Sequence, residues 1–540
     1  MKRNLKLLAS LRSSKIGVIF AATLGWLLTT LTATAGPLER DSALVVCPSH
    51  FRETIEPWIE YRKSQGIDLR VIESRSSAAD LLKVIRDTVI ESDRAIVLIG
   101  DAPVMGTPVD FTREIPIHYR KTTVSAAFRS TPTLPTDAPY GDIDDDGQMD
   151  CAVGRLPVRT RDQLKSLISR IKTYEQSQDF SAWRSQIQLI GGVGGFGVLA
   201  DSTIESTTRL VLTTSLPGSV RPSVLYGSPG HLFYPPKQFT ESVIDTYKKG
   251  CRVWVYAGHG SIDQLDRVPR GPTGSPVLDS RSLERIEGKQ ETSPIAVLLC
   301  CYTGAIDAGV ESFAEKFLLL PSGPIAVIAG SRVTMPYGNA SFTLGLVDAF
   351  HGKAATETRP AEKAAETLGE LFLRSINQLE KEESRDRSQL QTLVDALSTL
   401  ISPAGSSLVE ERREHASLYG LLGDPLLQLK PPLEVTVSTQ KGFDAGASID
   451  VVVTSPIDGE CTVSLDRPLG QVKKSQPGEP YVDPNDLTLA SSSAAVITNQ
   501  PSTFQIELPV EHRGLLRIRV HVAGESEWAS GAAQTNVRPR

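Results

Sequence analysis

An α/β fold, with a mostly parallel sheet under helices and a β-sandwich behind it, is what this 540-residue sequence predicts. From Ala43 onward, short apolar runs alternate with amphipathic segments, as strands and helices alternate in such folds. Four runs, SQIQLIGG, RVWVYAG, PIAVLLC and PIAVIAG, are apolar at consecutive positions, the mark of strands covered on both faces. Past Lys430-Pro431-Pro432 the pattern changes to period two. PLEVTVST, ASIDVVVTSP, ECTVSLD, STFQIELP and LLRIRVHVAG are joined by Gly, Pro, Ser and Asp turns, which reads as a sandwich.

Taken in order, ALVVC reads as a strand, FRETIEPWIEYRKSQG as a helix closed by Gly66, and IDLRVIES as the next strand. A helix near Ser77 to Ser92 and a strand at AIVLIGD follow. The Pro/Thr-rich stretch from Asp101 to Pro139 is too irregular for a regular element and suits a substrate-side loop. RDQLKSLISRIKTYEQ, residues 161–176, restores a helical period. GGVGGFG, residues 191–197, has the form of a dinucleotide fingerprint, but the next strand-like run, SVLYG, lacks the terminal acid that would hold a ribose. It is expected to be a flexible loop. His351-Gly352, after LGLVDAF, reads as a helix end capped by glycine.

The N-terminus carries Lys2, Arg3, Lys6, Arg12 and Lys15, then the apolar run Ile16 to Leu31, then Ala33-Thr34-Ala35. That is the layout of a secretory signal peptide cleaved after Ala35. Its removal takes five positive charges and no acid, moving the net charge from −6 to −11. An acidic surface disfavours nucleic acid as a partner, and no second run of spanning length follows. The six cysteines are scattered, with no CxxC and no Cys/His zinc spacing. The expected organisation is a signal peptide at 1–35, an N-terminal α/β subdomain at 40–180, a second subdomain at 181–430 and the sandwich at 431–540.

Chemistry in open α/β sheets gathers at the carboxyl ends of strands. RVWVYAG delivers His259 between Gly258 and Gly260, and PIAVLLC delivers Cys300-Cys301 to the turn Tyr302-Thr303-Gly304. If the two strands are neighbours, imidazole and thiol face one another. A histidine beside a cysteine activates the thiol and supplies the acid for a leaving amine, as acyl transfer by a cysteine nucleophile requires. The Gly260 N–H, unshielded by a side chain, is placed to donate to an oxyanion. Singly, such a His or Cys is ordinarily structural; the pairing at strand ends is what points to chemistry. Neighbours in a strand face opposite ways, so one of Cys300 and Cys301 looks toward His259.

A strand ending in His-Gly followed by a strand ending in Cys resembles the caspase-like cysteine peptidases, and more closely the gingipain-type peptidases, family C25. From Ala43 to Leu429 the stations VVC, AIVLIGD, TDAPYGD, DCAVGRLPVRT, AGHGS, CCYTG, SFAEKF, PIAVIAGS and YGLLGDPLLQL recur in order. The resemblance implies a caspase-like sheet in two subdomains with an immunoglobulin-like sandwich after them, and cleavage of protein or peptide substrates. It matches Cys301 to the nucleophile and His259 to the catalytic histidine, with the Gly260 and Cys301 N–H groups at the oxyanion; Cys300 stands where the family usually has a small residue. Asp137 matches an acidic residue that either orients the histidine or lines the pocket for a basic P1 side chain.

DIDDDGQMD, residues 142–150, places Asp142, Asp144, Asp146 and Asp150 at alternating or near-alternating positions with Gly147 sixth, the front half of an EF-hand-type calcium loop. Val153 stands where the bidentate Glu belongs, which excludes a full EF-hand and leaves a shorter calcium loop. Bound Ca²⁺ is the expected cofactor, with no organic one. The sequence as a whole predicts a secreted cysteine endopeptidase, with an inert caspase-fold surface protein or a processing transpeptidase as the alternatives.

Overall fold

The computed structural model describes residues 41–194, 215–269, 271, 273–353, 360–380, 389–398, 407–472 and 481–538. The expected signal peptide at 1–35 and residues 195–197 of the glycine-rich stretch lie outside the described residues.

The strand–helix alternation read from the sequence is present. The first half runs β1 (Ser42–Val46), α1 (Arg52–Ser64), β2 (Asp68–Ile72), α2 (Ala78–Thr88), β3 (Asp93–Ile99), a hairpin of β4 (His118–Lys121) and β5 (Thr133–Thr136), β6 (Ala152–Leu156) and α3 (Arg161–Gln176). The second runs β7 (Gln186–Gly191), β8 (Arg221–Tyr226), α4 (Phe239–Lys248), β9 (Val253–Ala257), the short pair β10 (Arg267–Val268) and β11 (Ser275–Pro276), α5 (Ser280–Leu283), β12 (Ile295–Leu299), α6 (Phe313–Leu319) and β13 (Ala326–Gly330). It closes with α7 (Pro336–His351), α8 (Leu368–Glu380), α9 (Gln389–Ser398), α10 (Leu408–Leu418) and β14 (Tyr419–Leu422).

Ten of these strands form one sheet in the order β2-β1-β3-β6-β14-β13-β12-β9-β7-β8. Strands β1, β6, β12 and β13 are buried at every residue; β12 and β13 are accordingly apolar along their length rather than alternating, while β6 also buries Arg155. The antiparallel strand β14 inserts beside β13 and meets β6 through the single bridge Leu422–Arg155, joining the two halves. Helix ends follow their local chemistry. Thr160 and Ser312 close capping boxes with Gln163 and Glu315 at the starts of α3 and α6, and Gly352 ends α7 at φ +73°, a conformation that favours glycine. The α2 helix stops at Thr88, short of the expected Ser92, because Val89 is already extended.

A buried charge network locks the first half to the chain after β14. Arg62 on α1 meets Glu175 at 2.8 Å and Asp424 at 2.6 Å, and Trp58 Nε1 donates to Asp424 at 2.6 Å, all out of solvent. Taking away one partner strands a buried charge, at a cost of about 3–5 kcal/mol.

Residues from Leu433 to Arg538 form nine strands, β15–β23, in sheets of six and three with their own apolar core. The sandwich docks through polar contacts: Trp528 Nε1 donates to Lys430 O (2.8 Å), Arg519 Nε to Gly218 O (2.9 Å), and Arg221 at the start of β8 pairs with Asp466 (3.1 Å).

Candidate active site

Strands β9 and β12 are neighbours, paired in parallel from Val253–Ile295 to Ala257–Leu299. His259 and Cys301 each lie two residues past the last pair, so equal register carries them to the same level and the same side. The turns that hold them touch. Gly258 N donates to Leu299 O at 3.4 Å, and a Cβ on Gly260 would stand 2.9 Å from both Cys300 Sγ and Cys301 O. Only glycine lets the histidine turn pack so closely on the cysteine turn.

Gly258 answers to a different neighbour. A Cβ there would lie 2.6 Å from the Tyr256 hydroxyl, and one on Gly192 at the end of β7 would lie 2.8 Å from it. That buried phenol donates to His259 O at 2.8 Å and accepts from Asp266 N at 3.2 Å, so it fixes the backbone of the histidine from beneath. After His259 the chain folds back, with Gly260 bridged to Leu265 through Ser261 N to Gln264 O (2.9 Å) and Asp266 N to His259 O (3.0 Å). Those bonds use the N–H groups of Ser261 and Asp266, not that of Gly260.

The two thiols part company. Cys300 is fully buried, its Sγ 3.4 Å from Thr303 Oγ1, and burial pushes its thiol far above the usual range. Cys301 is half-buried, and of the six cysteines, all free, it alone is not buried. Its Sγ donates to Thr334 O at 3.8 Å. Burial raises the Cys301 pKa, opposed by the hydrogen bonding at Thr334, so the resting group is a neutral thiol. The Thr334–Met335 peptide is held on its other side too: Met335 N donates to His415 Nε2 at 2.8 Å, and His415 Nδ1 donates to Glu411 O at 2.7 Å. Burial lowers the His415 pKa to about 4, which keeps the ring neutral and able to accept. One peptide plane thus ties Cys301 to the core of α10.

The Asp101–Pro139 stretch, irregular in sequence, contains the β4–β5 hairpin, and this packs on the cysteine turn. Thr131 N donates to the Tyr302 hydroxyl at 3.3 Å, and Arg332, two residues past β13, donates to Thr131 Oγ1 (2.6 Å) and Thr133 O (3.1 Å) while its other two nitrogens fork onto Asp307 at 2.9 and 2.6 Å. Tyr302 itself has φ +59°, a left-handed turn directly after Cys301.

Asp137 follows β5 and both its carboxylate oxygens accept from Arg155 of β6, at 2.8 and 2.7 Å. Arg155 is fully buried and also donates to Gly100 O and Ile115 O. Asp137 lines a small cavity with Gly304, Ile306 and Ala329. The structure therefore packs Gly260, the residue after His259, against Cys300 and Cys301, and sets Asp137 against an arginine. In the acidic loop Asp142, Asp144 and Asp146 gather, with ligand-type oxygens within 4.8 Å of one another. Asp150 is not in that group; its Oδ2 accepts from Ile143 N at 2.9 Å. Tyr256, Thr334 and His415 were not singled out in the sequence: Tyr256 lies inside a strand, and the other two are brought in by segments far along the chain.

The family model of peptidase family C25 matches residues 37–430. No curated protein matches the chain. Among solved structures, the chain is similar to the Arg-specific cysteine proteinase gingipain R (RgpB), at 17% identity over 93% of this chain and 99% of that one, with a TM-score of 0.52. It is similar also to the complex of Porphyromonas gingivalis RgpB pro- and mature domains, at 17% identity over 92% and 100% of the two chains and a TM-score of 0.51. At that identity the structures speak to the fold, which is the gingipain, caspase-like one; with the family match over most of its length, the chain belongs to peptidase family C25 and is a cysteine-type endopeptidase.

Proposed function

We propose that this peptidase is exported and cuts its substrates with Cys301 as nucleophile and His259 as its acid–base partner. The carrying observation is the equal register of the two residues past the adjacent strands β9 and β12, together with the contact of Gly260 on the cysteine turn. Because burial keeps the Cys301 thiol neutral at rest, the proton must leave as the attack occurs. His259 takes it, the sulfur adds to the scissile carbonyl, and the charge on oxygen falls to the Gly260 and Cys301 N–H groups. His259 then returns the proton to the departing amine, and water releases the acyl group from sulfur.

Asp137, with both oxygens on Arg155, offers its charge to neither His259 nor a basic side chain directly. Its role in this scheme is to shape the wall it lines and, through Arg155, to fix the carbonyls of Gly100, just before the substrate-side stretch, and Ile115 within it. Export is supported by the basic, apolar and Ala-Thr-Ala segments at the N-terminus, and no helix among the described residues is long and apolar enough to cross a membrane. The test is cleavage of a peptide library by the protein lacking residues 1–35, beside Cys301→Ala and Cys300→Ala. Turnover is expected to vanish in the first variant and persist in the second; the reverse pattern would move the nucleophile to Cys300 and end the scheme.

A further inference from the structure

Where the sandwich meets the peptidase unit, two buried arginines line one small cavity whose wall holds no carboxylate. Arg184 stands just before β7 and Arg252 just before β9, and they are 2% and 4% exposed. These strands are parallel neighbours, paired from Ile187–Val253, and Arg252 N donates to Gln186 O at 3.0 Å, so both arginines lie at the same end of the sheet. His351, at the end of α7, and Trp528 and Ser530 of the sandwich line the same cavity. It has room for little more than one water-sized species.

Aromatic rings take the faces of both guanidinium groups. Phe180 and Trp183 have their centroids 4.6 Å from Arg184 Cζ, and those of Phe350 and Trp528 lie 4.2 and 5.5 Å from Arg252 Cζ. The N–H edges are poorly used. Arg184 Nε donates to Asp179 O at 3.0 Å while its Nη2 is buried without an acceptor, and Arg252 Nη2 reaches only Leu429 O, at 3.2 Å. Lys430 brings a third cation close, with Nζ 5.2 Å from the Phe180 ring. The acids of this region are committed elsewhere: Glu175 pairs with Arg62, and Asp179 Oδ1 accepts from Ser181 N at 3.0 Å. Burial lowers the pKa of both arginines, that of Arg252 to about 10, and both stay charged near neutral pH. An arginine this deep is costly without a counter-charge. Arg62 has two; among the described residues Arg184 and Arg252 have none.

We propose that this cavity is a site for a small inorganic anion of chloride size, held by Arg184 and Arg252 and serving to pin the sandwich to the peptidase unit. The free guanidinium edges are donors only, and charge-assisted donors in a low-dielectric pocket select an anion and repel a metal ion. Ser530 adds a hydroxyl from the sandwich, and Trp528, whose Nε1 is spent on Lys430 O, adds the ring that holds Arg252 in place. The space is too small for a phosphate or an organic acid. Because the wall is drawn from both the peptidase unit and the sandwich, an ion bound there strengthens their junction. The inference is independent of the peptidase scheme.

The experiment follows the melting temperature of the full mature chain, dialysed into sodium gluconate, as NaCl replaces gluconate at constant ionic strength. It compares the parent, Arg184→Met and, as control, Lys237→Gln at an exposed position. Parent and control are expected to gain about 2–5 °C along a saturating curve, and Arg184→Met to lose that rise. Crystals of the parent grown in NaBr are expected to show an anomalous bromide peak beside both guanidinium groups, a readout that stands even if the variant does not fold. A parent melting temperature indifferent to chloride overturns the proposal, as does a cavity without bromide. So does an equal rise in Arg184→Met, which would place the ion elsewhere.

Discussion

The turns after β9 and β12 and the loop before β6 both gather reactive side chains, and they do it in opposite electrostatic ways. At the turns, strand register and glycines that admit close backbone approach bring the loops bearing His259 and Cys301 into contact, and burial keeps the thiol neutral. At the loop, carboxylates crowd with the loop's arginine aimed elsewhere. The first sets a half-buried thiol beside a turn held by close backbone contacts; the second gathers like charges in a loop of which Asp144 and Asp146 are exposed. The difference teaches that clustering of titratable groups has no single meaning, and that the surrounding partners decide between chemistry and ion binding.

The largest effect that would sharpen this contrast is at Gly260. Gly260→Ala puts a methyl 2.9 Å from Cys300 Sγ and Cys301 O, and kcat/KM on a peptide substrate is expected to fall at least a hundredfold. Unchanged turnover would mean that the close approach of the two turns has no part in the chemistry. Next in size is acid sensitivity. His415 is buried and neutral, with a folded pKa lowered to about 4 from an ordinary 6.5. Because the folded value is depressed, the unfolded chain binds the proton first, so stability is full above pH 6.5 and is lost as pH falls toward 4. Urea melts over that window should show a drop of a few kcal/mol, with peptidase activity falling alongside as the Met335–His415 bond breaks. A flat profile would remove His415 from the support of Cys301.

Tyr256→Phe deletes the hydrogen bond to His259 O and the weaker one accepted from Asp266 N, whose N–H keeps its bond to His259 O, and leaves the ring in place. A bond of about 0.5–1.5 kcal/mol corresponds to a fall in kcat of up to about tenfold, with KM little altered. An equal change in both constants would assign the phenol to substrate binding instead.

Much of this was legible in the sequence because it rests on local pattern. Consecutive apolar residues marked the inner strands, the Pro431-Pro432 boundary marked the sandwich, and Gly66 and Gly352 marked helix ends, each through chemistry carried by neighbouring residues. The adjacency of the strands that end before His259 and Cys301 was readable because a single helical crossover length separates them. What was not readable depends on distant segments. Arg155 on Asp137, the Thr334–Met335 peptide between Cys301 and His415, and Asn377 on the Met149 carbonyl all join residues whose pairing no periodicity encodes. The hairpin in the Asp101–Pro139 stretch was hidden for the same reason, since β4 is half-exposed and the loop that joins it to β5 leans on the cysteine turn at Tyr302.

The most direct test of the central claim is the rate of iodoacetamide labelling at Cys301, followed by mass spectrometry across pH 5 to 9 in the parent and in His259→Ala. The scheme predicts that Cys301 labels far faster than the other five cysteines and that the His259→Ala variant, equally folded, loses most of that rate near neutral pH. Equal labelling in both proteins at every pH would contradict it, since the imidazole would then have no hold on the thiol.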